Sequence, residues 1–139
     1  EYAVMALDVQ HIIVCGHSDC GAMKAVLDPA GLQRMPTVKA WLRHCEVARS
    51  LVEQNCSCTA GEALGVLTEE NVVAQLDHLR THPSVAARLA GGQLSIHGWV
   101  YCIETSEILA YDAGTGRFAP LDGDGPLPVA TPAPRYLQA

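Results

Sequence analysis

The stretch that decides the fold is residues 11–22, HIIVCGHSDCGA. Its first five residues are an apolar run that predicts a strand, and Gly16 ends it. His17 and Cys20 follow, three residues apart, before a helix that we expect to begin near Gly21. Imidazole nitrogen and thiolate sulfur both suit Zn²⁺. The spacing therefore predicts two zinc ligands at the carboxyl end of a strand; the alternative is a buried strand-end pair without metal.

Two protein ligands do not hold a catalytic zinc, so a third must come from elsewhere. The other cysteines and histidines favour ordinary roles. Cys15 fits a small buried core residue, because it lies inside the strand pattern. Cys56 and Cys58 are expected to be separate thiols, since a two-residue step is tight for a disulfide. His78 and His82 lie four residues apart and fit a solvated helix end.

A few further side chains have a functional and a structural interpretation. His44 and His97 are expected to be structural. Asp19 could move protons, but an exposed loop acid is the simpler interpretation. Trp41 and Trp99 are expected to be core or interface anchors.

Outside the central stretch, hydrophobic periodicity predicts helices and then a hairpin of strands. Residues 1–7 resemble the last turns of a helix. The expected helices are residues 21–27, 36–55, a helix capped by Thr59 and Glu62 with a possible break near Thr68, and 84–90. The expected strands are residues 94–104, 108–112 and 117–121. This order predicts an α/β fold, in which ligands bind at the carboxyl ends of strands.

Composition limits the class of protein. The chain has 139 residues, a net charge of −6 and no clustered basic stripe, which argues against nucleic-acid binding. No apolar run is long enough to cross a membrane. Six cysteines in this apolar, helix-rich sequence fit a reduced cytosolic domain. We expect one domain over residues 1–121, followed by a Pro/Gly-rich tail over 122–139 that is extended or disordered.

Several motifs together resemble the β-class carbonic anhydrases. They are EYAV at residues 1–4, the stretch at 11–22, ENV at 70–72 and GWVY at 98–101. Residues 35–44, MPTVKAWLRH, are most similar to the bacterial and cyanobacterial branch, which includes the carboxysomal enzymes. The resemblance implies a mostly parallel sheet flanked by helices.

The resemblance also implies a zinc site and its chemistry. In the family, zinc hydroxide attacks CO₂ to give bicarbonate, and the metal is held by Cys, His and Cys. His17 and Cys20 match the second and third ligands, and the N–H of Gly21 would face the substrate. The first cysteine belongs to a Cys-x-Asp-x-Arg motif that this sequence does not contain, so the catalytic Asp–Arg pair cannot be assigned.

We therefore expect the chain to be the C-terminal part of such an enzyme, without the N-terminal helices and first strand. Loss of that central strand would leave unpaired backbone on both sides of a gap, which favours a homodimer or higher homo-oligomer. The expected location is cytoplasmic or carboxysomal, with a carboxysome scaffold protein as a partner. The alternatives are a catalytically inactive structural or recruitment domain, and a redox domain that uses Cys56 and Cys58.

Overall fold

The architecture is a four-stranded sheet flanked by helices. The computed structural model describes residues 1–121, 123, 125 and 127–130. The sheet order is β1-β2-β3-β4. β1 pairs with β2 in parallel, whereas the β2/β3 and β3/β4 pairs are antiparallel. The predicted α/β fold is confirmed. The strands are β1 (His11–His17), β2 (Ser95–Cys102), β3 (Glu107–Asp112) and β4 (Arg117–Pro120).

The helices follow the predicted periodicity with one interruption. The described α-helices are α1 (Tyr2–Met5), α2 (Gly21–Leu27), α3 (Pro36–Trp41), α4 (Glu46–Asn55), α5 (Ala60–Arg80) and α6 (Pro83–Ala90). Turns of 3₁₀-helix cover Pro29–Arg34 and Leu42–Cys45. No helix in this described part of the chain has the length and apolar character needed to span a bilayer.

The prediction of one continuous helix over residues 36–55 is wrong. The tighter turn between α3 and α4 changes which side faces the core. Cys45, Ala48 and Val52 are buried after it, whereas Trp41 before it is 72% exposed. Trp41 is therefore not a core residue, and its role as an interface anchor stays a prediction.

Helix α5 covers one face of the sheet and contacts both β1 and β2. The capping box at its start is present as predicted, with Glu62 accepting from the Thr59 N–H at 2.9 Å. The expected break near Thr68 does not occur: α5 is continuous there, and the Thr68 hydroxyl donates to the Leu64 carbonyl at 2.8 Å. Two strand glycines allow α5 to pack closely against the sheet. A Cβ atom at Gly16 or at Gly98 would lie only 2.9 Å from α5 side-chain carbons.

Strand β1 is an edge strand among the described residues, because it pairs only with β2. The predicted gap with exposed backbone on both sides is therefore wrong for these four strands, which form one continuous sheet. A further strand has a place on the outer side of β1, where N–H and C=O groups point away from the sheet.

The chain returns to the sheet after β4. The Ala130 N–H donates to the Ile96 carbonyl at 2.9 Å, and Ala130 is fully buried beside Leu76 and Ile96. Residues 127–130 thus lie along the start of β2. The predicted division between residues 121 and 122 stays a prediction. Asp122, Asp124, Pro126 and 131–139 lie outside the described residues, so the predicted extended or disordered tail cannot be followed there.

Candidate metal centre

His17 is the last residue of β1, so the strand continues past Gly16, where we expected it to end. The His17 Nδ1 atom lies 2.8 Å from the carbonyl oxygen of Ser18. Because a carbonyl oxygen only accepts, Nδ1 must carry a hydrogen, and in the neutral ring Nε2 then has the lone pair. Metal-bound histidines usually have this arrangement, in which a carbonyl fixes the tautomer and the ring orientation.

Cys20 lies immediately before α2 and is a free thiol. Its backbone is extended (φ −64°, ψ 118°), which turns the chain from the loop into the helix. Cys20 is half-buried against the cluster that contains Met23, Val26 and Cys45. The predicted helix over residues 21–27 is confirmed, so Gly21 is its first residue. The sequence thus places a thiol and an imidazole at the two ends of one short turn.

Ser18 fixes that turn to the neighbouring strand. Its N–H donates to the Tyr101 carbonyl at 2.9 Å, and its hydroxyl donates to Glu104 Oε2 at 2.8 Å. The Ile103 N–H donates to the Ser18 hydroxyl oxygen at 2.9 Å. Hydrogen bonds from its own backbone N–H and from Ser18 hold the pKa of Glu104 below its usual range. Sequence analysis missed this pair, because 86 positions separate its members.

Asp19 completes the turn in the left-handed region (φ 56°) and forms an ion pair with Lys24. Its side chain is 63% exposed, as predicted for a loop acid. The pairing with Lys24 links residues 17–20, the metal turn, to α2. Contacts with β2 on one side and α2 on the other therefore hold the metal turn in place.

A cavity of about 620 Å³ lies at the carboxyl end of β1 and is lined by both predicted ligands. Cys15 lines it and is exposed, so the prediction of a buried core residue is wrong. The reason is that an alternating strand has two faces, and this face of β1 is not covered by the described helices. The polar and sulfur-containing side chains that line this cavity include Cys15, His17, Cys20, His44, Cys45, Gln75, His78 and His82.

Three further histidines lie in this cavity. His78 Nδ1 lies 3.0 Å from Gln75 Oε1, which gives it a fixed partner, so the prediction of a simple solvated helix end is wrong for His78. His82 is exposed at the start of α6, as predicted. His44 meets the His78 ring edge-on, with centroids 6.4 Å apart.

Three further cysteines, Cys45, Cys56 and Cys58, are not candidate zinc ligands. Burial, and then the charge of Cys20, raises the pKa of Cys45, which keeps Cys45 a neutral thiol. Cys56 and Cys58 have Cα atoms 5.2 Å apart, and their prediction as separate thiols stays a prediction. His97 is 1% exposed and structural, as predicted.

His17 and Cys20 have the right chemistry for zinc ligands, but two ligands are too few to hold the metal. His17 offers a free Nε2 lone pair and Cys20 a free thiol, a nitrogen and sulfur donor set that Zn²⁺ accepts. Across residues 1–121, 123, 125 and 127–130, no group of three or more His, Cys, Asp or Glu side chains could hold a metal ion. A three-ligand zinc site would therefore need a donor from outside these residues.

Comparisons with known proteins agree with this geometry. The family model described as carbonic anhydrase matches residues 1–108. A carbonic anhydrase of Pseudomonas aeruginosa is 48% identical over 87% of this chain and 55% of its own length. One from Synechocystis is 51% identical over 81% of this chain and 42% of its own length. The chain therefore spans about half the length of the curated relatives it matches.

Solved structures give the same assignment. The β-carbonic anhydrase CcaA superposes with a TM-score of 0.84 at 43% identity, covering 88% of this chain and 56% of that chain. A β-carbonic anhydrase from Sordaria macrospora, described as tetrameric, gives a TM-score of 0.63 at 26% identity, covering 86% of this chain and 56% of that chain. The chain belongs to the β-carbonic anhydrase family.

Proposed function

We propose that the intact protein is a zinc-dependent lyase that interconverts CO₂ and bicarbonate, and that His17 and Cys20 are two of its zinc ligands. The observation that carries the proposal is the fixed tautomer of His17, whose Nε2 lone pair is left for a metal within three residues of a free thiol. Family membership supports the reaction.

The residues of the turn have distinct tasks in this reaction. When bound, zinc supplies the Lewis acidity that makes hydroxide available near neutral pH. The contact with the Ser18 carbonyl places the hydrogen of the His17 ring on Nδ1 and so directs Nε2 to the metal, while Cys20 contributes a sulfur ligand. The contact between Ser18 and Glu104 holds both ligands against the β2/β3 turn, so the site is preorganised.

Gly21 is the proposed contact to substrate. It is the first residue of α2, and no side-chain cap occupies the N–H groups of this first turn. A Cβ atom at Gly21 would meet nothing within 4 Å, so the space beside it is open. A backbone N–H there would donate to an oxygen of bicarbonate.

The open edge of β1 suggests how the third ligand arrives. An added strand would pair with the unused N–H and C=O groups of β1, beside the cavity that contains His17 and Cys20. A thiol on that strand would complete a three-ligand set of one nitrogen and two sulfurs. We propose that the rest of the protein supplies this strand together with the Asp–Arg pair.

The test is stopped-flow CO₂ hydration by the intact protein. Cys20→Ser should abolish activity, whereas Cys102→Ser should leave it unchanged, because Cys102 lies at the end of β2 and does not line the cavity. Full activity of Cys20→Ser would overturn the proposed ligand role.

A catalytically inactive structural domain is the second candidate, because the described residues supply only two ligands. The same assay decides between the candidates when it is run with zinc in excess. CO₂ hydration by the intact wild-type protein supports the enzyme, and its absence supports the structural domain.

We further propose a homodimer or larger homo-oligomer that is located in the cytoplasm or in the carboxysome, where a carboxysome scaffold protein would be its partner. The 72% exposed Trp41 favours self-association, because tryptophan is enriched at protein interfaces. Native mass spectrometry tests the oligomer. Carboxysome fractionation tests the carboxysomal location, which a wholly soluble fraction would contradict.

A further inference from the structure

Ser18, a half-buried residue of the metal turn, is held to the neighbouring strand at three points. Its N–H donates to the Tyr101 carbonyl at 2.9 Å, one residue beyond the last paired residue of β1, His17. Its hydroxyl oxygen accepts from the Ile103 N–H at 2.9 Å and donates to Glu104 Oε2 at 2.8 Å. A hydroxyl has only one hydrogen, so the two contacts fix its direction. Glu104 is therefore the acceptor that completes the anchoring of Ser18.

Glu104 itself lies in the short turn between β2 and β3, which has a defined backbone. The Ser106 N–H donates to the Cys102 carbonyl at 2.8 Å, and Ser106 adopts the left-handed conformation (φ 60°). A hydrogen bond from its own backbone N–H, and then the one from Ser18, lowers the pKa of Glu104. Glu104 is exposed, so its charge is not desolvated there. The hairpin thus presents an ionised acceptor to Ser18.

The anchored residue also supplies the acceptor for the His17 ring. The Ser18 carbonyl oxygen lies 2.8 Å from His17 Nδ1. This carbonyl belongs to the peptide that joins Ser18 to Asp19, and Asp19 holds φ 56° and pairs with Lys24. The peptide is therefore held from both sides, by Glu104 through the Ser18 hydroxyl and by α2 through Asp19.

The direction of this carbonyl matters for metal binding. A neutral imidazole has two tautomers, and only the one with its hydrogen on Nδ1 offers Nε2 as a metal donor. His17 is exposed at the end of β1, so packing alone does little to select between the tautomers. The hydrogen bond to the Ser18 carbonyl selects one of them, and it lasts only while that carbonyl keeps its direction.

We infer that Glu104 is a positioning residue for the metal centre, which acts through Ser18 to set the tautomer and direction of the His17 ring. The inference rests on the proposed function for the metal that is bound, whereas the state of the ring can be measured without any metal. The opposing explanation is that the contact between Ser18 and Glu104 stabilises only the turn between β2 and β3.

The first measurement is long-range ¹H–¹⁵N NMR of His17 in the metal-free intact protein, at a pH at which the ring is neutral. Wild type should carry its hydrogen on Nδ1, whereas Ser18→Ala and Glu104→Ala should each give a mixture of tautomers. Glu104→Gln should keep the wild-type signature, because its amide oxygen still accepts the Ser18 hydrogen. Glu107→Ala is the matched control and should behave as wild type, because Glu107 is an exposed glutamate at the other end of the same turn.

The second measurement is the zinc affinity of the same variants by chelator competition. Removing the outer partner of a metal-bound histidine lowers metal affinity by about 10- to 100-fold. Ser18→Ala and Glu104→Ala should each lose at least about 10-fold, and Glu104→Gln should be close to wild type. The double variant should lose no more than Ser18→Ala alone, because Glu104 acts through Ser18.

The outcomes separate the positioning role from the proposed function. An unchanged ring in Glu104→Ala, or an unchanged zinc affinity in that variant, would overturn the inference and leave the proposed function standing. Additive losses in the double variant would also overturn it, because Glu104 would then act independently of Ser18. If wild type itself bound no zinc, the proposed function would fail, and the tautomer of His17 in Glu104→Ala would still decide the role of Glu104.

Discussion

Gly98→Ala tests the packing that places the metal turn. The added Cβ would lie 2.9 Å from Leu76 Cδ1, 2.9 Å from Val72 Cγ1 and 3.3 Å from Tyr111 Cβ. Carbon atoms pack best at about 3.5–4.0 Å, so at least two neighbours must move by over half an ångström. Leu76 and Val72 are 0% and 1% exposed, and close-packed side chains have little room to give.

The expected loss of stability is the overpacking penalty minus the chain entropy that alanine saves relative to glycine when the protein folds. Overpacking of this kind costs about 1–3 kcal/mol. Replacing a strand glycine by alanine returns about 0.5–1 kcal/mol of chain entropy. From the midpoints of these two ranges, the free energy of unfolding should fall by about 1 kcal/mol in equilibrium urea denaturation, with an unchanged m value.

Gly65→Ala is the matched control for this substitution. Gly65 is exposed in α5, and a Cβ there would meet nothing within 4 Å. It should raise the free energy of unfolding by about 0.5–1 kcal/mol, because alanine favours helix over glycine. If Gly98→Ala proves as stable as wild type while Gly65→Ala behaves as expected, the argument that glycine admits α5 is wrong.

Three further predictions concern α5 and its N-cap. Thr59→Ala should lower the free energy of unfolding by about 1 kcal/mol in urea titrations, because it removes an N-cap; Thr59→Ser should be near neutral, and equal losses would contradict the cap. Hydrogen bonds from Thr59 lower the pKa of Glu62, so the stability that Glu62 contributes is present above its unfolded pKa and is lost as pH falls through its folded pKa. Glu62→Gln should therefore destabilise at neutral pH and have little effect in acid. Burial, and then the charge of Glu70, raises the pKa of Glu69, so stability is lost as pH rises through that pKa. Glu69→Gln should consequently stabilise the protein at neutral pH and not in acid; an equal change in thermal midpoint at both pH values would refute the assignment.

Local pattern was enough to predict the elements around the metal turn. The strand from His11, the helix over residues 21–27 and the capping box of Thr59 with Glu62 all depend on neighbours within one or two turns of chain. Such signals are fixed by backbone geometry and hydrogen-bond chemistry. The structure places His17 and Cys20 in one cavity, as their spacing predicted.

Contacts between distant residues could not be predicted in this way. The alternation in β1 gives two faces but does not say which face is covered, so Cys15 was assigned to the wrong side. Ser18 and Glu104, and likewise His11 and His97, meet across 86 positions only because β1 and β2 pair in parallel. The outer neighbour of β1 depends on strand order, which periodicity does not encode.

The most direct test of the central claim is zinc content and affinity of the intact protein, measured by metal analysis and chelator competition. Wild type should bind one zinc per chain, and His17→Ala and Cys20→Ser should each lose it. Cys15→Ser should keep it, because Cys15 lines the same cavity without serving as a ligand. Stoichiometric zinc in Cys20→Ser, or loss of zinc in Cys15→Ser with His17 and Cys20 intact, would contradict the assignment of the metal centre.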